Sequence, residues 1–414
     1  MRNGLPSRIA EIEGIRGIMT LLVVAQHMMH GGPLFWVWGC MDIFFCISGF
    51  VITRILLENL TRPGFLKNYF IRRVLRIWPM YYVAMMFAFA VFYLTDGSTL
   101  QDFGLSNAAD WQPSWQALVF PLVYLQNTEV YSGSEPFNYL ILFIHSWSVA
   151  VEEHFYLLWP FVLLFLLRGR STSILLLSAA AAIGTAAMLR QQADHFADYW
   201  ILLSRLDGFV FGAALAFLEV AVANKRPLAQ LAAASFRWLW IVPLLALIPY
   251  LAGWFGTLIP DVLARSVFEP YFNFALLGFC WIGYCVFIAP LYAGRAPMSR
   301  LLNLRPLQHL GTISYSIYLL HVPVVFAISP YLISVYDLPP VFSAIIGFGL
   351  TIALAHFSFQ WIEAVAMRLK KHFAYADEEK GTQLVQLRIP DQSLLRPDDR
   401  RHRRRQWYRP LHRA

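Results

Sequence analysis

Apolar runs long enough to cross a bilayer recur along most of this chain, and they restrict its fold before any single residue is weighed. A spanning helix needs about 20 predominantly apolar residues to cross ~30 Å of hydrocarbon. Ten stretches meet or approach that length, near 12–33, 37–57, 70–95, 139–167, 172–190, 200–223, 237–253, 268–291, 308–330 and 340–366, with 172–190 and 237–253 the shorter ones. In lipid every backbone N–H and C=O must be paired within the protein, which for runs of this length means helices. The expected fold class is an all-α polytopic membrane protein with about ten transmembrane helices. A composition that is 58% hydrophobic and 14% charged, with 14 Trp and 33 Phe, excludes an ordinary soluble domain.

Basic residues orient the spans. With the N-terminus inside, the inner loops 54–76, 168–170, 225–237 and 295–305 hold fourteen Lys/Arg, and the five outer loops hold three. Cytoplasmic loops are enriched in Lys and Arg, so both termini are expected to be cytoplasmic. The first apolar run carries Arg16 and His27 and lacks a small-residue cleavage site, so it is expected to remain as the first span. Cys40, Cys46, Cys280 and Cys285 lie in or beside apolar runs without metal-ligand spacing, which points to buried reduced thiols and no metal cofactor.

The formal net charge of +8 belongs almost wholly to residues 368–414, which hold 13 Lys/Arg against 6 Asp/Glu. The expected division is a membrane domain at 1–367 and a basic, disordered cytoplasmic tail at 368–414 that touches anionic lipid. Charge of this kind alone is weak ground for nucleic-acid binding, and no nucleic-acid partner is expected.

Within the membrane body a few polar residues stand out. Arg16 and His27 are eleven positions apart, about three helical turns, so they share one stripe about 16 Å long. An arginine at a helix centre costs roughly 2.5–3.5 kcal/mol on insertion scales, so the stripe should face a protein-lined cavity. The plainer alternative makes Arg16 an interfacial anchor and His27 a core histidine. Asp42 in the second span needs a partner, with His27 or His30 near in sequence, and Ser48-Gly49 is a small pair that permits close helix approach. Arg72, Arg73 and Arg76 cluster at the inner surface, suited to phosphate oxygens or to lipid headgroups. From Ile77 to Leu167 there is no Lys or Arg, and the outer loop 96–138 holds five carboxylates and a short apolar piece, Trp115 to Leu125. Ser148 and Glu152 lie one turn apart on one face, while Glu153 points elsewhere. Arg205 and Asp207 open the sixth span, and His321 lies in the ninth.

These segments, taken in order, resemble the acyltransferase-3 family of integral membrane O-acyltransferases. Glu13-Gly14-Ile15-Arg16-Gly17 through His27 is similar to its first helix, and Asp42 to Phe50 to its second. Arg72-Arg73-Val74-Leu75-Arg76-Ile77-Trp78-Pro79 is similar to its basic third-helix start, and Trp147-Ser148 through Glu152-Glu153 to its tryptophan–serine–glutamate segment. Ser314 to Pro323 and Phe359 to Glu363 resemble its last two helices. Glu13 stands where aspartate is commoner, Val149 where leucine is, and His154 where glutamine is usual.

The resemblance implies an enzyme, an acyltransferase transferring groups other than aminoacyl groups, in the bacterial inner membrane. The donor would be cytoplasmic acyl-CoA, acetyl-CoA foremost, and the acceptor a hydroxyl of a cell-envelope or exported carbohydrate. His27 would act as base, with Asp42 or Glu152 orienting its ring and Arg16 on the donor side of the same stripe. Arg72, Arg73 and Arg76 would hold the donor phosphates. Acceptor chemistry is expected on the membrane body itself, with no appended esterase-like domain. Direct transfer and an acyl-enzyme both fit. A proton-coupled transporter and a non-catalytic component of polysaccharide export are the rival functions; consumption of acyl-CoA separates the enzyme from the first and dependence on His27 from the second.

Overall fold

The computed structural model describes residues 9–28, 39–94, 115–129, 141–167, 172–192, 200–222, 226–239, 270–292, 297–328, 335–337, 339–373 and 375, and among them there are helices and turns but no strand. In order the helices are α1 Ala10–Met28, α2 Cys40–Asn59, α3 Phe65–Leu94, α4 Trp115–Leu122, α5 Trp147–Leu167 and α6 Thr172–Gln192. Then come α7 Leu206–Val222, α8 Arg226–Leu239, α9 Pro270–Phe287, α10 Pro297–Leu302, α11 Arg305–Thr312, α12 Ser314–Pro323, α13 Pro340–Ser358 and α14 Ala364–Leu369.

Among the described residues the all-α expectation holds, and the helical segments able to cross a membrane number four or five. Helices occupy nine of the ten apolar stretches at least in part; 237–253 lies outside the described residues except for the end of α8. By length and composition four helical segments can cross a membrane: Cys40–Asn59, Phe65–Val91, Leu142–Leu167 and Val341–Phe373. The pair α11 and α12, bent by 69°, makes a fifth if taken as one span. Two of the other described helices lie outside that test on composition or length. Helix α1 carries Glu11, Glu13 and Arg16 within its 19 residues, and α7 is 17 residues long. The basic stretch 225–237, expected as a loop, is instead mostly helix α8. Its Ala232, Ala233 and Phe236 are buried while Gln230, Ser235 and Arg237 are exposed, an amphipathic pattern concealed between two apolar runs.

Two glycine-mediated contacts set the core. A Cβ on Gly49 of α2 would collide with the Phe209 carbonyl of α7, and one on Gly212 with the Cys46 carbonyl, so both helices need glycine there to pack backbone to backbone. The same holds for Gly14 of α1 against α10 and Gly311 of α11 against α1. Phe45 stacks on Phe209 at 4.9 Å and Phe155 on the opposite side at 4.1 Å, closing α2, α5 and α7 into one aromatic core.

Into this core the chain inserts a charge pair. Arg205, just before α7, lies 3.2 Å from Asp42 of α2, and both side chains are fully buried. The Arg205 guanidinium also lies over the Trp147 ring at 5.6 Å, which ties in α5.

Candidate active site

Helices α1, α2, α3, α5 and α12 converge on a cavity of about 160 Å³. Three arginines line it: Arg16 from α1, and Arg73 and Arg76 from α3. Each is held by a different element. Arg16 donates to Ser314 Oγ at 2.8 Å and pairs with Glu13 at 3.5 Å. The 69° bend before Ser314 is what brings the start of α12 to this point. Arg76 approaches Met367 Sδ of α14 at 2.8 Å, and Arg73 lies over the Tyr156 ring at 5.1 Å. Arg16, Arg73, Glu13 and the buried Glu363 all lie within electrostatic reach of Arg76. Glu363 in turn accepts from Ser316.

The opposite wall is a hydroxyl–carboxylate cluster. Glu152 accepts from Ser48 Oγ at 3.1 Å and from Tyr156 OH at 2.8 Å, and the two hydroxyls are themselves 2.8 Å apart. Ser48 is thus more than part of a packing notch: Gly49 makes the close approach to α7, and Ser48 faces the cavity. Tyr318 and Ser148, whose oxygens are 2.7 Å apart, also line the cavity.

Beyond Tyr318 lies a group of imidazoles. Tyr318 OH donates to the His145 carbonyl oxygen, and its ring lies 5.1 Å from the His145 ring. The fully buried His321 has its ring 5.0 Å from that of His145 and 4.9 Å from that of His27. His27 Nδ1 is 2.9 Å from the Val23 carbonyl oxygen and 3.3 Å from His321 Nε2.

The expected site residues therefore separate into four places. Arg16, Arg73, Arg76 and Glu152 share the cavity. His27 is not among the residues lining it and stands in the imidazole group beyond, because Thr20, Val23 and Val24 are buried and fill the stripe that was expected to leave room. Arg72 turns away from its neighbours: its guanidinium stacks on Tyr375 at 4.7 Å and donates to the Phe373 carbonyl at 3.4 Å. The turn Lys370–Phe373 after α14 thus packs on the start of α3, across the junction placed at 368.

Asp42 is held by Arg205, and the Nδ1 position of His27, where an orienting carboxylate was expected, faces Val23 and His321. Glu153 is not among the residues lining the cavity; it accepts from the Trp78 indole at a long 3.5 Å and lies within electrostatic reach of Arg73. Tyr318, Tyr156 and Ser314 were not singled out by sequence; their hydroxyls are ordinary in isolation and acquire meaning only from the helices they bridge.

Residues 9–357 match a family described as "Acyltransferase domain". The chain belongs to this acyltransferase family. Its relatives include the "Peptidoglycan O-acetyltransferase OatA" of Listeria monocytogenes, 26% identical over 381 residues that cover 86% of this chain and 55% of the relative. The "Putative peptidoglycan O-acetyltransferase YrhL" of Bacillus subtilis is 26% identical, covering 86% and 54%. The "O-acetyltransferase OatA" of Staphylococcus aureus strain NCTC 8325 is 24% identical, covering 91% and 60%. The chain thus spans a little over half the length of these curated relatives. No solved structure matches it. With its apolar helices, this acyltransferase domain is a multi-pass protein of the bacterial plasma membrane.

Proposed function

We propose that this acyltransferase domain moves an acetyl group from cytoplasmic acetyl-CoA to a hydroxyl of a cell-wall carbohydrate, with both termini on the cytoplasmic side. The observation that carries the reading is the alignment of cavity and imidazoles. A three-arginine cavity is lined also by Tyr318, and the Tyr318 backbone carbonyl lies 2.6 Å from His321 Nδ1, the histidine that faces His27. Arginine forks suit the phosphates of the donor, so Arg73 and Arg76 hold the anionic end and the thioester reaches toward Tyr318. His27 then takes the proton of the acceptor hydroxyl at Nε2. The oxygen attacks the thioester carbonyl, the C–S bond breaks, and the leaving thiolate recovers the proton from His27. Acyl transfer directly between substrates needs no covalent intermediate in this arrangement. A peptidoglycan acceptor is favoured by the relatives named for that substrate.

In proteoliposomes supplied with acetyl-CoA and isolated peptidoglycan, transfer of labelled acetyl is expected, and no incorporation would defeat the reading. Arg73→Gln and Arg76→Gln should raise KM for acetyl-CoA by about 10-fold or more, the scale of a lost charge-assisted contact, with kcat less affected. Arg72→Gln should change KM little, since Arg72 is occupied by Tyr375 and Phe373. A larger KM effect at Arg72 than at Arg73 would reverse the assignment. For orientation, single cysteines in a background lacking the native four should react with an impermeant maleimide from outside at 96–138. Those at 60–68 should react only after permeabilisation. The opposite pattern would put the arginine cavity on the wrong side for a cytoplasmic donor.

A further inference from the structure

We propose that His321 is the positioning residue of the acyl transfer: a neutral imidazole that, together with the Val23 carbonyl, holds the tautomer and orientation of His27. The inference rests on the reading of His27 as the base.

The tautomers follow from the partners. A backbone carbonyl oxygen only accepts, so a ring nitrogen held against one must carry its proton. His321 Nδ1 lies 2.6 Å from the Tyr318 carbonyl oxygen, so it is the protonated nitrogen and Nε2 holds the lone pair. His27 Nδ1 lies 2.9 Å from the Val23 carbonyl oxygen and is therefore protonated too. The 3.3 Å contact between His27 Nδ1 and His321 Nε2 is then a donation from His27 to His321, the same N–H being shared with Val23.

This leaves the lone pair of His27 on Nε2, the nitrogen that takes up the hydroxyl proton. When it does, the positive charge spreads to Nδ1–H, where the His321 lone pair and the Val23 carbonyl meet it. In serine hydrolases a buried carboxylate holds the base in this way, stabilising the right tautomer and the imidazolium that forms. Here a neutral acceptor occupies the position, which suits a site between apolar helices, because an ionised carboxylate is costly to bury.

The geometry is specific to His321 and not a general consequence of packing. The Tyr318–His321 carbonyl contact is one helical turn long and lies within α12. The His145 ring lies 5.0 Å from that of His321 and the Phe326 ring 6.0 Å from that of His27, so each imidazole packs edge-on against a second ring. His321 touches neither substrate in this scheme. It works through His27 alone.

The test compares His321→Phe, His321→Gln and His27→Ala in the full-length chain reconstituted in proteoliposomes, with acetyl-CoA and isolated peptidoglycan. His321→Phe keeps the ring volume and removes the acceptor; kcat should fall about 10–100-fold with KM for acetyl-CoA within about twofold of the parent, the scale of losing an orienting hydrogen bond. His321→Gln offers an amide oxygen in its place and should recover most of that loss. A second readout is ¹⁵N NMR of histidine-labelled protein. The His27 signals, identified by their absence in His27→Ala, should report Nδ1–H in the parent and a mixture of tautomers in His321→Phe. Full kcat in His321→Phe, or an equal fall in Phe and Gln variants with an unchanged His27 tautomer, would overturn the proposal while the inactivity of His27→Ala kept the base assignment standing. Retained turnover in His27→Ala would instead remove the base assignment and this inference together.

Discussion

His27→Ala is expected to lower acetyl transfer by about 10²–10⁴-fold while leaving the fold and donor affinity near those of the parent. The magnitude is that of losing a positioned general base. A transfer from thioester to hydroxyl needs the proton removed as the carbon–oxygen bond forms, and an imidazole titrates in the range where it can take and return that proton at neutral pH. Donor affinity should survive because the arginines that line the cavity are on the other side of Tyr318, and His27 is not among the residues lining it. Folding should survive because His27 is only partly buried, in the last turn of α1, and the helix is anchored lower down through Gly14, Gly17 and Arg16. The measurement is kcat and KM for acetyl-CoA in proteoliposomes beside the thermal midpoint in detergent. Turnover within a few-fold of the parent would move the base elsewhere, with Glu152 the nearest candidate in the cavity.

The second large effect is on stability and belongs to Asp42. Removing one member of a fully buried ion pair leaves the other charge uncompensated, at a cost of about 3–5 kcal/mol. Asp42→Ala and Arg205→Ala should each lower the thermal midpoint sharply and reduce the yield of folded protein, since the pair joins α2 to α7 where the two backbones are closest. The double change Asp42→Leu with Arg205→Met removes both charges and should recover much of the loss, because an apolar pair of similar volume avoids the desolvation penalty. A catalytic Asp42 would behave differently. Asp42→Ala would then keep the midpoint and lose turnover, and the double variant would stay inactive. Scanning fluorimetry of the four proteins separates the cases.

Much of the cavity's polar lining was legible because intramembrane polar residues are few. Arg16, Arg73, Arg76 and Glu152 were each picked out by that scarcity, and all four line one cavity. Helix periodicity put Ser148 and Glu152 on one face, and both do line the cavity. Periodicity on a single helix could not foresee its neighbours. The stripe from Arg16 to His27 was read as open, yet its small residues Thr20, Val23 and Val24 are buried. Asp42 was paired with histidines close in sequence, whereas its ion-pair partner, Arg205, is 163 positions away. A local search has no means of finding a contact that only the packing of α2 on α7 creates.

What the sequence by itself determined is the helical class, most of the places where helices form, and the small set of residues able to bear charge in an apolar setting. These follow from local physics: hydropathy, period and the cost of an unpaired backbone group. Only the tertiary structure decided which of those residues share a site. It turned Arg72 onto Tyr375 while Arg73 and Arg76 face inward, bent the chain at Ile313 so that Ser314 meets Arg16, and set His321 against His27 across 294 positions of sequence. Those outcomes depend on glycine contacts and buried pairs between distant helices, and their energies arise only when the helices meet.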